Sequence, residues 1–292
     1  MEDAPIEVPT RTLVESMLRD DATIDAGALY DVAGELGMTD QQVRLCIKRL
    51  VADGQFVQDG RGRKAVLRAT DELRSTITPD LDYLRLMYAQ DRGDAPWDGR
   101  WHVVAFAVPE SVRPARDAMR DAIVRLGGAA VQGGLYVSPN DWDGEIADAA
   151  EQLAIAEHVT TLTTTDLTVG GTDEPRGVAG LLWPLGDIAE RHRRLLAVAE
   201  RALAVLPDAS PTAQLTVAIE LAAEFTRAVE PDPLLPPELL PQPWIGVAAR
   251  AKVADCWAEL LKSDAPQRIK LFQWYSEVVA EVAARSSSAA SV

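Results

Sequence analysis

The sequence predicts a multidomain α+β protein with an N-terminal winged helix-turn-helix, a central ferredoxin-like βαββαβ domain and a C-terminal all-helical domain. Three observations lead to this fold class. A helix followed by a glycine-rich hairpin is indicated over residues 36–68, strands and helices alternate over residues 97–172, and helical patterns dominate from residue 173 onward. The expected boundaries are therefore residues 1–75, a helical linker and hinge at 76–96, then residues 97–172 and 173–292.

The composition is that of a globular protein with two or three domains. The chain has 292 residues, is 47% hydrophobic and 25% charged, and carries a net charge of −16. Its apolar runs fall short of the roughly 20 residues that a membrane span needs. The acidic N-terminus lacks a secretory apolar core, and two distant cysteines show no disulfide framework. We expect a cytoplasmic protein without a membrane partner.

The first 40 residues contain the signals of two helices. Residues 10–20 predict the first helix, with four apolar residues turned inward: Leu13, Val14, Met17 and Leu18. Ile24 is expected in a short strand, and Asp25 is expected to cap the second helix. These elements precede the stretch around which the N-terminal domain is organised.

A third helix is predicted from Thr39, which has the capping-box spacing to Gln42. Val43, Ile47 and Leu50 recur at the spacing of one helical face. Gly54 is expected to end the helix in the left-handed conformation. Strands around residues 56–57 and 65–67 then enclose the turn 58–64, so the order is that of a winged helix.

Cations and amides on this helix and hairpin suggest a DNA reader. Residues 43–68 hold seven basic and two acidic residues, a local charge of +5. Glutamine, arginine and lysine reach base edges from a groove-bound helix, and hairpin cations suit phosphates or the minor groove. The predicted DNA-binding residues are Thr39, Gln41, Gln42, Arg44, Lys48, Arg49, Arg61, Arg63 and Lys64. A hairpin with solvated charges, or one that binds a protein, stays open as the alternative.

The central stretch predicts four strands and two helices. Strands are expected at 102–108, 129–132, 135–138 and 158–164, and helices at 114–126 and from 141 to about 156. The packing residues expected on the first helix are Ala118, Ile123, Val124 and Leu126. Gly170-Gly171 is expected to end this domain. Such a βαββαβ order is typical of the ferredoxin-like fold.

The last third of the chain predicts four helices and a proline-rich connector. The helices are expected from the 181–185 stretch to 206, then at 211–229, 248–262 and 266–284. The connector, residues 231–243, could form a polyproline ligand, but its leucines favour packing within the domain. The serine- and alanine-rich tail after Arg285 is expected to be disordered.

Four blocks in order resemble the PaaX family of phenylacetate-catabolism repressors. They are LGMTDQQVRLCIKRLVADG with GRGRKAVLRATDE, WDGRWHVVAFAVPE with Arg113 and Arg116, GGLYVSPNDW, and DPLLPPELLPQPWIG with Ala248 and Arg250. The resemblance implies a dimeric transcriptional repressor that binds a palindromic DNA operator. It also implies an aryl-acyl-CoA effector, notably phenylacetyl-CoA, that releases the repressor from DNA.

The central stretch also resembles the small CRISPR-associated ferredoxin-like nucleases, which use an aspartate near the end of the first strand. This chain has Ala107 at the corresponding place. Without that carboxylate a metal-assisted cleavage site is hard to build. We therefore expect no enzyme and no catalytic residue, and we favour a structural or dimerising role. A metal-dependent nuclease and a protein-binding winged-helix adaptor are the alternatives.

Two groups of residues are candidates for the effector. Trp97, Arg100 and Trp101 could stack on an aromatic ligand, although burial at the hinge is the simpler interpretation. Cations near residue 192 could bind CoA phosphates, or lie on a solvated helix face. The candidate set is Trp97, Arg100, Trp101, Trp183, Arg191, His192 and Arg194. The three histidines show no ligand spacing, so no metal and no cofactor are expected.

Overall fold

The computed structural model describes residues 6–71, 73, 81–262 and 269. They form a mixed α+β protein with two antiparallel sheets, one of three strands and one of four. The predicted α+β class is therefore confirmed. The chain divides into two compact units, each assembled from separate segments. The first comprises Met1–Arg85, Arg193–Arg227 and Ala248–Val292, and the second Leu86–His192 and Ala228–Val247.

The first unit begins with three helices and three strands. In chain order they are α1 (Thr10–Ser16), β1 (Thr23–Asp25), α2 (Ala26–Glu35), α3 (Asp40–Ala52), β2 (Phe56–Asp59) and β3 (Val66–Ala69). Strand β3 lies between β1 and β2 and is antiparallel to both. Helix α1 is shorter than predicted, because it ends at Ser16, but Met17 and Leu18 are still buried.

Helix α3 has the boundaries and the buried face that its sequence predicts. Thr39 and Gln42 form a reciprocal capping box at its start. Gly54 has a φ of 72°, and the amides of Gly54 and Gln55 donate to carbonyls of the last turn. This is the Schellman arrangement that ends a helix. Its stripe of Val43, Ile47 and Leu50 is buried, which leaves the opposite face to solvent.

The second unit contains the four-stranded sheet. Its elements are the end of α4 (Leu81–Arg92), β4 (Trp101–Phe106), α5 (Arg113–Arg125), β5 (Ala129–Gln132), β6 (Leu135–Ser138), α6 (Asp143–Gln152) and β7 (Val159–Thr164). The strand order is β5-β6-β4-β7, with every neighbouring pair antiparallel. The predicted alternation of strands and helices is present, with β4 in the interior of the sheet.

Side chains alternate across β4 and enter two different cores. Trp101 and Val103 pack with α7 and the connector segment, whereas Val104 packs against α5 and α6. On α5, Met119 and Ile123 are buried, but Val124 is 59% exposed. The expectation that Val124 packs inward is wrong, because it lies one residue beyond the i, i+4 row that faces the sheet.

Four further helices follow: α7 (Pro175–Leu182), α8 (Leu185–Val205), α9 (Pro211–Val229) and α10 (Ile245–Leu260). The prediction missed α7. Glu174 caps it by accepting hydrogen bonds from Arg176 and Gly177, and Pro175 occupies its first turn, which suits that position. The missing amide of Pro184 separates α7 from α8.

The connector between α9 and α10 packs through its leucines. Leu234, Leu235, Leu239 and Leu240 are buried, which confirms packing over a free polyproline ligand. The predicted helix 266–284, the disordered tail and the Thr78-Pro79 part of the linker lie outside the described residues. Among the helices that are described, none has the length and apolarity required to span a bilayer.

Candidate nucleic-acid interface

The outer face of α3 presents long polar side chains to solvent. Gln41, Arg44, Lys48 and Arg49 are all exposed, opposite the buried stripe. Leu45 lies among them and is 50% exposed. Within the described chain, none of the three cations on this face takes part in an ion pair. Their charges are therefore available to a ligand.

Two predicted DNA-binding residues also hold the start of α3. The Oε1 atom of Gln42 accepts hydrogen bonds from the Thr39 amide and the Thr39 hydroxyl, both at 2.8 Å. The Thr39 Oγ1 atom accepts the Gln42 amide at 3.3 Å. The capping box leaves the Nε2 group of Gln42 for a partner outside the helix. The Thr39 side chain therefore fixes the start of the helix, and its hydroxyl is already hydrogen-bonded.

The turn between β2 and β3 carries three exposed cations in unequal surroundings. Residues Gly62–Lys64 form one turn of 3-10 helix. The Arg63 guanidinium pairs with the Asp31 carboxylate of α2 and lies 5.5 Å from the centre of the Tyr30 ring. Arg61 and Lys64 form no ion pair within the described part of the chain. Arg63 is thus anchored to the domain, whereas its two neighbours are not.

The predicted effector tryptophans are brought together in the second unit. The Trp97 and Trp101 ring centroids are 5.1 Å apart at 64°, and those of Trp101 and Trp183 are 6.4 Å apart at 15°. Trp101 and Trp183 are buried. Trp97 Nε1 donates to the Arg100 carbonyl, and Trp183 Nε1 donates to the Gly127 carbonyl. The three tryptophans therefore form part of a hydrophobic core of the second unit.

The polar effector candidates differ in burial and in the partners that they contact. Arg100 is exposed, with its Nε 3.8 Å from Asp98 Oδ2. His192 is fully buried; its Nε2 lies 2.7 Å from Asp232 Oδ2, and its ring meets Trp244 edge-on. Arg194 belongs to the first unit, where it binds the buried Glu224 carboxylate at 2.8 Å. Arg191 is exposed on α8.

One cluster of possible metal ligands could not be recognised from residue spacing in the sequence. His102 on β4 faces Asp141 and Asp143 at the start of α6, and their ligand atoms all lie within 4.8 Å of one another. The residues are some 40 positions apart, so only the pairing of β4 with β6 joins them. The Asp-Trp-Asp run after a strand is the one local signal.

The end of β4 lacks the carboxylate that the nuclease alternative needs. Ala107 follows the strand, and its amide donates to the His158 carbonyl. It lies in a groove beside Arg113, Arg116, Asp117 and Arg120. Asp117 supplies one carboxylate to this groove.

Comparison with known proteins identifies the central and C-terminal parts. Residues 94–178 match the PaaX protein central Cas2-like domain, and residues 183–269 match the PaaX-like protein C-terminal domain. The two matches cover more than half of the chain. The chain therefore belongs to the PaaX family.

Among solved structures, the chain is similar to the uncharacterized protein Rv0674 from Mycobacterium tuberculosis. The identity is 24% and the TM-score 0.51, with 86% of this chain and 93% of that chain covered. At this identity the likeness concerns the fold alone. No curated protein sequence matches the chain significantly.

Proposed function

We propose that this protein is a transcriptional repressor of phenylacetate or related aromatic catabolism, which binds its operator through α3 and the β2–β3 turn. Family membership supports the regulatory class. The observation that carries DNA binding is the outer face of α3, where Gln41, Arg44 and Lys48 are exposed and the cations have no acidic partner among the residues that the structure describes. Elements α1 to β3 have the order of a winged helix, in which such a helix enters the major groove.

In this proposal Gln41, Arg44 and Lys48 read base edges, and Arg49, Arg61 and Lys64 hold phosphates. Arginine can donate two hydrogen bonds to guanine, and glutamine can do so to adenine. Because the whole chain carries −16, non-specific attraction to DNA is weak, and the local +5 must be placed accurately on the duplex. A homodimer would read a palindrome with half-sites one helical repeat apart.

The effector proposed is an aryl-acyl-CoA thioester, as in the family that the chain resembles. Release from DNA requires that the effector binds the DNA-incompetent state more tightly than the competent one. Trp97, Trp101 and Trp183 pack on one another and do not form an open aromatic pocket, so the proposal gives them a structural role and no direct contact with the effector. Arg100 and Arg191 are exposed residues whose guanidinium groups have the chemistry to bind phosphates, although Arg100 also lies near Asp98.

A protein-binding adaptor is the second candidate, and one observation favours it. Leu45 and Val57 are 50% and 59% exposed, which is apolar surface suited to a protein partner. In the DNA-binding proposal the exposed Leu45 contacts a thymine methyl group instead.

The test is binding of the purified protein to its own upstream DNA, titrated against salt with and without phenylacetyl-CoA. We expect tight, salt-steep binding that the thioester releases. Binding that ignores the thioester would retain the reader and discard the effector class. Failure to bind that DNA at low salt would leave the adaptor as the better proposal.

A further inference from the structure

The imidazole of His102 presents an unsatisfied nitrogen. Its side chain is 8% exposed, and its Nδ1 atom is buried without a hydrogen-bond partner among the described residues. Burial removes this nitrogen from water and returns no hydrogen bond, which costs free energy. A ligand from outside the chain that binds Nδ1 would recover that cost.

Two carboxylates face the same nitrogen at distances that suit a shared ion. Nδ1 lies 3.8 Å from Asp141 Oδ1 and 3.7 Å from Asp143 Oδ1. These separations are too long for hydrogen bonds. Ligand atoms about 2.1 Å from one tetrahedral ion are separated by about 3.4 Å. Shortening each of these two separations by a few tenths of an ångström would give that spacing, and all three ligand atoms already lie within 4.8 Å of one another.

The segment that carries the two acids is already held in place. The Asn140 amide donates to Ser138 Oγ at 3.0 Å, and its side chain donates to the Leu234 carbonyl at 3.0 Å. Trp142, between the acids, is 2% exposed. Asp141 and Asp143 are themselves exposed at 76% and 52% of their side chains, so an ion can reach them from solvent.

We propose that His102, Asp141 and Asp143 bind a divalent transition-metal ion, with Zn²⁺ as the best fit. One imidazole nitrogen with two carboxylate oxygens favours such ions over Mg²⁺ and Ca²⁺, which prefer oxygen alone. The ion would join the second residue of β4 to the first residue of α6 and neutralise two adjacent acids. By binding only the folded state, it stabilises the second unit.

This site is separate from the place where the Cas2-type nucleases hold an acid. His102 is near the start of β4 and Ala107 follows its end, so five residues of extended chain, about 16 Å, separate them. The proposal concerns metal binding and stability, and it does not depend on DNA binding.

The experiment is calorimetric titration of the tag-free, metal-stripped full chain with Zn²⁺, paired with thermal melting. The test variant is Asp141→Asn with Asp143→Asn. Its matched control is Glu145→Gln with Asp148→Asn, which removes two exposed carboxylates of α6 outside the cluster. We expect one ion per chain and a raised Tm for the parent and the control. The test variant should bind roughly tenfold or more weakly.

Cobalt provides an independent readout of the ligands. Co²⁺ should give visible absorption bands in the parent chain that disappear in the Asp141→Asn, Asp143→Asn variant. Equal Zn²⁺ affinity in parent and test variant would overturn the proposal, because the ion would then bind elsewhere. Undetectable Zn²⁺ binding by the parent, or tighter binding of Mg²⁺ than of Zn²⁺, would overturn it too.

Discussion

Two arginine-bearing surfaces of this protein differ in the acidic residues that surround their cations. On α3 and the β2–β3 turn, Arg44, Lys48, Arg49, Arg61 and Lys64 form no ion pair within the described chain. A second set of cations, called the α5 row here, lies between Glu110 and Asp121 at the start of α5. Each of its three arginines is within 4.0 Å of an acid. Arg113 and Arg116 contact Glu110 and Asp117, while Arg120 contacts Asp117 and Asp121.

The difference shows that the acids around a cation decide what it can bind. Residues 43–68 carry +5, whereas the row from Glu110 to Asp121 has three basic and three acidic residues and is neutral. A phosphate approaching α5 must displace a carboxylate that is already in place, and one approaching α3 need not.

Arg44→Ala should have the largest effect on DNA binding. The loss of a base-contacting guanidinium is expected to cost about 1–3 kcal/mol and to relax specificity at one base pair. Fluorescence anisotropy on a panel of single-base operator variants measures both quantities. Arg120→Ala removes the same side chain from the α5 row and should leave the affinity unchanged. An equal loss in both variants would contradict the contrast between the two surfaces.

Arg61→Ala should weaken DNA binding less than Arg44→Ala does, and by the same factor for every operator sequence. A phosphate contact carries no base information, so the slope of log K against log salt should become shallower by about 1. Anisotropy titrations at four or more salt concentrations give that slope. A slope identical to that of the parent protein would remove Arg61 from the interface.

Arg63→Ala should affect stability more than it affects DNA binding. Its guanidinium is already engaged by Asp31 and the Tyr30 ring. An exposed cation–π contact contributes about 0.5–1 kcal/mol, and the exposed ion pair adds little. We expect a lowered urea midpoint with a salt slope closer to that of the parent than Arg61→Ala shows. A larger salt effect than that of Arg61→Ala would show that Arg63 leaves Asp31 when DNA binds.

Asp117→Asn should have the smallest effect of the four substitutions, and it should strengthen binding to a polyanion where the other substitutions weaken or spare it. Asp117 lies within 4.0 Å of Arg113, Arg116 and Arg120, so its neutralisation leaves these cations less compensated. A slight increase in retention on heparin is expected. Asp148→Asn, with the same change in net charge on α6, is the control. Equal retention of both variants would mean that net charge alone accounts for the effect.

Much of the fold follows from local sequence signals. The capping box of Thr39 and Gln42, the left-handed Gly54 and the strands at residues 129–132 and 135–138 all lie where their patterns predict. Each depends on residues within a few positions of one another. The missed helix α7 shows the limit, because its eight residues are too few for a clear apolar period.

What the sequence determined by itself is therefore most of the helices and strands, with α7 as the exception, together with the buried stripe of α3 and the cationic character of its outer face. Only the tertiary structure decided that Arg63 forms an ion pair with Asp31 and that the candidate effector tryptophans pack on one another. It alone also brings His102 to Asp141 and Asp143. The physical reason is the distance along the chain over which each interaction acts. Caps and periodicity act over one or two helical turns, whereas charge pairing and ligand geometry depend on which distant residues the sheet and the core bring within about 4 Å of one another.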